Sequence, residues 1–247
     1  MFKVKICGIT TPDDALLAAE AGADAIGLNF YAKSPRCVLA DRAAEIVQRL
    51  REDYSAAQVR VFGVFVNAAV DEILWMVREA DLYGVEKGFG VQLHGDEPPQ
   101  LLQQLRQHGI GCMGNLFQAT GHTPEVPVMR AFRCRGADLS SEAAYLTECQ
   151  KLDAMPQAVL LDAYSSEDFG GTGQCVDWAT VHRQRSQLPR IPLILAGGLT
   201  ATNVARAIEE ARPDGVDVAS GVESAPGKKD AAKVYAFVAA ANKQFVS

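Results

Sequence analysis

Two hydrophobic periods take turns along this chain. Lys3-Val4-Lys5-Ile6-Cys7-Gly8 alternates strictly, so a strand here puts Val4 and Ile6 on one face and Lys3, Lys5 and Cys7 on the other. A lysine and a cysteine sharing a face suit the interior of a closed barrel, with Cys7 at the open end where the strand hands over to a loop. A lone cysteine is otherwise read as a small buried thiol. Thr11-Pro12-Asp13-Asp14 then opens a helix with a capping residue, an early proline and early acids, and the helix from Ala15 to Ala21 closes on Gly22.

The same change of period repeats roughly every 25 to 35 residues, the rhythm of βα units. The pattern predicts strands at Ala25–Phe30, Val59–Val66, Gly90–His94, Val128–Arg133, Ala158–Asp162, Ile191–Ala196 and Gly215–Ala219. Helices are expected near 40–51, after an Asn67 cap with Val70, Ile73, Leu74 and Val77 at helical spacing, after Pro98, at 140–151, from Asp177, at 200–211 and at 229–241. Gly109–Pro127 has no clear period and reads as an elaborated loop. Eight such units without a linker-like shift in composition predict one closed (β/α)8 barrel domain over 1–247. An open doubly wound sheet is the runner-up, but no GxGxxG follows the first strand.

Composition narrows the function. A chain of 247 residues, 48% hydrophobic, is the usual size of a one-domain α/β barrel. A net charge of −6 argues against a general nucleic-acid or membrane binder. Charged Lys3 and Lys5, with no apolar stretch behind them, lead us to expect no signal peptide, and no apolar run approaches the ~20 residues of a membrane span. Six cysteines without CxxC or CxxH spacing suggest reduced thiols in a cytoplasmic protein, with no structural metal site.

Barrel chemistry sits at the carboxyl ends of the strands, where the unusual residues of this chain collect. Gly197-Gly198 and Ser220-Gly221 follow strands 7 and 8, and such glycines let backbone N–H groups approach a phosphate. Ordinary tight turns are the alternative for either pair alone. Gly170-Gly171-Thr172-Gly173 lies on a long loop after strand 6 and reads as a lid or backbone clamp, or else a simple loop tip. Asp162 ends strand 6, nearly opposite strand 1 in an eight-strand ring. Cys7 and Asp162 would then flank one ligand, one removing a proton and the other supplying one. A strand-end aspartate can also be only a loop anchor. Arg36, in a proline-fixed turn after strand 2, can clamp a carboxylate, unless it is a solvated surface residue. Gln92 and His94 face inward on strand 4, His94 in a structural role. Lys228 and Lys229 read as a solvated helix start. Lys5 should point into the barrel roughly 6–7 Å below Cys7 and pair with Asp217, which shares the inward face of strand 8.

Lys5-Ile6-Cys7-Gly8-Ile9-Thr10, Ser34-Pro35-Arg36, Gly63-Val64-Phe65-Val66, Val91-Gln92-Leu93-His94-Gly95, Leu160-Leu161-Asp162 with the later glycine loop, Leu195-Ala196-Gly197-Gly198-Leu199 and Ser220-Gly221-Val222-Glu223 occur in this order. From Lys3 to Asp230 the chain resembles the phosphoribosylanthranilate isomerases of tryptophan biosynthesis. The resemblance implies an Amadori rearrangement of N-(5-phosphoribosyl)anthranilate, a small phosphorylated substrate, with no cofactor, no metal and no obligate protein partner. It implies Cys7 as general base and a protonated Asp162 as general acid. It also implies Arg36 at the anthranilate part, and Gly171, Gly173, Gly197, Gly198, Ser220 and Gly221 as substrate-binding residues. Ala219 stands where a serine is common, and the segments at 82–90 and 109–127 look longer than usual. A related barrel isomerase acting on a histidine-pathway aminoaldose would carry an acid rather than a cysteine on strand 1. A broader isomerase serving both pathways and a ligand-binding barrel without turnover are the other readings.

Overall fold

The computed structural model describes residues 2–53, 58–111, 126–134, 138–162 and 177–246. Eight parallel strands close into a barrel in chain order. They are β1 (Val4–Cys7), β2 (Ala25–Asn29), β3 (Arg60–Phe65), β4 (Phe89–Leu93), β5 (Val128–Arg133), β6 (Ala158–Asp162), β7 (Leu193–Ala196) and β8 (Gly215–Val218). The ring closes where β1 pairs β8, with Val4 opposite Val216, Lys5 opposite Asp217 and Ile6 opposite Val218. A short hairpin, β9 (Glu223–Ala225) with β10 (Lys228–Lys229), follows β8.

The described helices are α1 (Pro12–Glu20), α2 (Ala40–Glu52), α3 (Val70–Glu79), α4 (Pro99–Gln107), α5 (Ser140–Lys151), α6 (Trp178–Gln184), α7 (Val204–Ala211) and α8 (Ala231–Val246). Their starts follow local chemistry. Thr11 caps α1 by accepting the Asp14 N–H, and Asp177 caps α6 by accepting that of Thr180. On α7 the buried positions are Val204, Ala207, Ile208 and Ala211, a stripe one helix face wide. Among the described residues no helix is long and apolar enough to cross a membrane.

Several expected boundaries move. Strand β7 begins at Leu193 rather than Ile191, because Pro192 has no N–H to give to a ladder. Helix α7 begins at Val204 rather than Thr200, since Thr200 donates its N–H to the Asn203 side chain in a preceding turn. Helix α8 starts at Ala231 and runs on to Val246. Asn67 is not a helix cap. It sits in the left-handed region (φ 53°), its N–H reaches Glu97 Oε1, and its Oδ1 accepts the Asp96 N–H. The residue ahead of α3 is Ala69, with no side-chain cap. Asn67 therefore ties the loop after β3 to the loop after β4. Within 82–90, Leu82–Gly84 forms a single 3-10 turn.

Two apolar layers hold the barrel. Outward side chains of the strands meet the helices in the larger layer, which includes Ile6, Leu28, Val61, Val91, Leu161, Leu195 and Val216. A smaller cluster fills the interior: Phe2, Ala25, Phe62, Met129, Ala131, Ala158, Leu160, Ile194 and Ala196. Phe2 and Phe62 meet edge to face at 5.4 Å. Each large apolar side chain buried this way contributes about 1.5–3 kcal/mol. In the outer layer a buried charge is also paired. Buried Arg130 donates to the carbonyls of Leu93, Ala131 and Gly95 and pairs with Glu97 at 3.1 Å. Glu97 in turn accepts the Gly95 N–H, so one ion pair fixes the carboxyl end of β4.

Candidate active site

At the carboxyl ends of the strands a cavity of about 480 Å³ opens. Cys7, Arg36, Asp162, Gly197, Gly198, Ser220 and Gly221 all line it. They are thus brought together from β1, β2, β6, β7 and β8. Gly171 and Gly173, with the rest of the 170–173 loop, lie outside the described residues. Asn29, Tyr31, His94 and Arg133 also face the cavity. Asn29 and Tyr31 carried no local signal beyond their place after β2.

Cys7 ends β1 and is almost wholly buried. It lies over Gly27 of the neighbouring strand, where an added methyl would come 2.6 Å from its Sγ and 2.9 Å from Lys5 Nζ. The missing side chain is the space into which thiol and ammonium both reach. Lys5 is therefore not set well below the thiol as strand rise alone predicts. It pairs with Asp217 Oδ1 at 2.9 Å, as expected from the shared inward face. Burial alone would lower the Lys5 pKa, but Asp217, helped by Cys7, more than offsets it, and Lys5 stays above the ordinary lysine value. Burial pushes the Cys7 thiol up, Lys5 pulls it down, and Asp217 pushes it up again. Lys5 outweighs Asp217 at the sulfur, but burial is the largest influence and wins.

Across the cavity Asp162 ends β6, about a quarter exposed. His94 Nε2 lies 3.9 Å from its Oδ2, and His94 Nδ1 meets Gln92 Nε2 at 2.8 Å. His94 is therefore part of the cavity wall beside Asp162. Gln92 is fully buried, and its Oε1 has no hydrogen-bond partner among the described residues.

The turns after β7 and β8 form the third wall. Gly197 and Gly198 both have left-handed backbone, at φ 93° and 61°. Gly221 packs directly on the carbonyl of Leu199, so any side chain there would collide with backbone. Ala219 contributes no hydroxyl to that wall, so Ser220 is its hydroxyl-bearing neighbour there.

Lys229 departs most from expectation. It is buried in β10, not solvated at a helix start. Its ammonium donates to Cys7 O at 2.6 Å, Ala219 O at 3.3 Å and Glu223 Oε1 at 2.9 Å. Burial lowers its pKa against the pull of Glu223. Glu223 also receives Arg36 Nε at 2.8 Å and Nη2 at 2.6 Å. Burial would raise the Glu223 carboxyl, but Arg36 and Lys229 together hold it below the ordinary value.

Barrel and mouth define the class, a (β/α)8-barrel enzyme working on a small molecule. Residues 4–240 match the family model of N-(5′-phosphoribosyl)anthranilate (PRA) isomerase, and the chain belongs to that family. The N-(5′-phosphoribosyl)anthranilate isomerase of Trichlorobacter lovleyi is 42% identical over 238 residues, covering 96% of this chain and 97% of the relative. The phosphoribosyl anthranilate isomerase structure from Thermotoga maritima superposes with a TM-score of 0.73 at 33% identity, covering 98% of this chain and all of the other. A phosphoribosyl anthranilate isomerase bound to reduced 1-(o-carboxyphenylamino)-1-deoxyribulose 5-phosphate matches at 32% identity and a TM-score of 0.73, with coverage of 98% and 100%.

Proposed function

We propose that this chain converts N-(5′-phosphoribosyl)anthranilate to 1-(2-carboxyphenylamino)-1-deoxyribulose 5-phosphate, with Cys7 as general base and Asp162 as general acid. The observation that carries the assignment of roles is that both face one cavity from β1 and β6, with Arg36 and the glycine turns of β7 and β8 completing its wall. Family membership supports the substrate.

In this reading the phosphate lies against the backbone of Gly197, Gly198, Ser220 and Gly221. Gly221 lets the turn after β8 pack on the turn after β7, and backbone N–H groups in such turns can hold an anion. The aryl carboxylate lies at Arg36. The sugar between these anchors faces sulfur on one side and carboxyl on the other. Asp162 gives a proton to the ribose ring oxygen, the C1–O bond breaks, and the nitrogen lone pair forms an iminium. The Cys7 thiolate takes the proton from C2, and that electron pair neutralises the iminium as an enolamine. Tautomerisation moves the remaining hydrogen to C1 and yields the ketose. Hydrogen is redistributed within one molecule, so the chemistry calls for no redox cofactor. Positioned acid and base each contribute about 10²–10⁴-fold to such a step.

Turnover of phosphoribosylanthranilate by the purified protein, followed by anthranilate fluorescence with chelator present, tests the reading. Sustained turnover is the expected result. A protein that binds the reduced product analogue without turning over substrate would instead be a ligand-binding barrel.

A further inference from the structure

Arg36 is the cation that the proposed function sets against the aryl carboxylate, and its side chain is not free to choose how it binds. It lies across Gly8, whose missing side chain leaves room for its Cδ. Nε and Nη2 make a side-on pair with the two oxygens of Glu223, at 2.8 and 2.6 Å. A guanidinium has two edges that can hold a carboxylate with paired N–H groups, one through Nε and Nη2 and one through Nη1 and Nη2. The first is occupied. Nη1 has no hydrogen-bond partner among the described residues, so the second edge is the open one.

Glu223 is fixed from the far side as well. Its Oε1 also accepts from Lys229, whose other two protons go to the carbonyls of Cys7 and Ala219 at the ends of β1 and β8. Lys233 Nζ donates to the Glu223 backbone carbonyl at 2.7 Å. The three charges Arg36, Lys229 and Glu223 sum to one positive charge. Lys229 has no N–H left to offer, so the unspent charge is presented through the Nη1–Nη2 edge of Arg36 alone.

We infer that Glu223, braced by Lys229, is a positioning residue that sets the direction of Arg36 and thereby the selection for a carboxylate on the ligand's aromatic ring. The inference rests on Arg36 meeting that carboxylate, and the experiment below separates the two claims. Without Glu223 the side chain would keep its charge but lose its aim.

The test measures dissociation constants for reduced 1-(o-carboxyphenylamino)-1-deoxyribulose 5-phosphate and for its counterpart lacking the ring carboxylate. Wild type is compared with Glu223→Gln, Glu223→Asp and Arg36→Gln, and the ratio of the two constants is read in each. Glu223→Gln is expected to weaken the carboxylated ligand about tenfold or more while moving the other less than twofold, the scale of one charge-assisted hydrogen-bond pair. Glu223→Asp keeps the charge opposite Lys229 but is one methylene too short to span both donors. It is expected to lose the same discrimination, and it gives the readout if the glutamine variant does not fold. A merely structural role would weaken both ligands alike and leave the ratio unchanged, which overturns the inference. If Arg36→Gln collapses the ratio and neither Glu223 variant does, the inference alone fails. If Arg36→Gln leaves the ratio at its wild-type value, the carboxylate reading of Arg36 fails and takes the inference with it.

Discussion

The ammonium of Lys5 and the carboxylate of Asp217 stand 2.9 Å apart inside the barrel, on paired positions of the first and last strands. Both are buried, and the pair lies beside the Cys7 thiol. Removing one partner leaves the other charged in the interior. Lys5→Met or Asp217→Asn alone should each cost about 3–5 kcal/mol in urea unfolding, and a double replacement by apolar residues should recover most of that loss. A single variant with wild-type stability would show that the pair does not matter to folding.

The same two residues push the Cys7 pKa in opposite directions, which gives a signed prediction. Burial raises Cys7, so the limb of kcat/KM that rises with its deprotonation should lie above the ordinary thiol value of about 8.5. Asp217→Asn removes an upward push and should move that limb to lower pH. Lys5→Met removes a downward pull and should move it to higher pH. A raised folded-state pKa also means that the contribution of the thiol to stability is complete below the unfolded value and fades as pH climbs past the folded one. Lys5, raised as well, fades in the same alkaline direction. Limbs that move together in the two variants would remove the ion pair from the control of the thiol.

Cys7→Ser and Asp162→Asn should each lower turnover by about 100-fold or more and leave the circular dichroism spectrum unchanged. Both side chains line the cavity rather than the helix-packed layer, so the fold does not depend on them. Near-normal turnover in either variant would take that residue out of the mechanism.

Inorganic phosphate should compete with substrate, because the turns after β7 and β8 would bind the same dianion. Gly221→Ala should weaken that inhibition about tenfold or more, since a side chain there meets the Leu199 carbonyl and forces the two turns apart. Phosphate inhibition that is non-competitive, or unaltered by the substitution, would place the anion elsewhere.

What could be read in the sequence followed from local rules. Strict two-residue alternation put Lys5 and Asp217 on inward faces, and the strand count gave the barrel, because these depend on near neighbours. Cys7, Asp162 and the glycine pairs were legible because barrel topology sends every strand end to one rim. Lys229 was not. Its partner Cys7 is 222 positions away, and two adjacent lysines before a helix look solvated until the β9–β10 hairpin folds one of them under. The grip of Glu223 on Arg36, across 187 positions, is invisible for the same reason. Asn67 carried the right residue type for a cap but turned to the loop after β4, because Glu97 and Asp96 offered its polar groups better partners.

The apolar cluster inside the barrel, from Phe2 and Phe62 up to Leu160 and Ile194, has a consequence for traffic. Among the described residues it stops the barrel from below, so along the barrel's axis Cys7 is reached from the mouth at the strand ends. Whatever enters by that doorway must be followed out by what it becomes, and the two cannot pass. In the proposed reading the departing ketose keeps both the phosphate and the ring carboxylate of the incoming substrate, so it would hold the same anchors on its way out. Occupancy of the chamber would then follow the ratio of product to substrate outside it, so the ketose is expected to inhibit competitively, which initial rates measured with added product check.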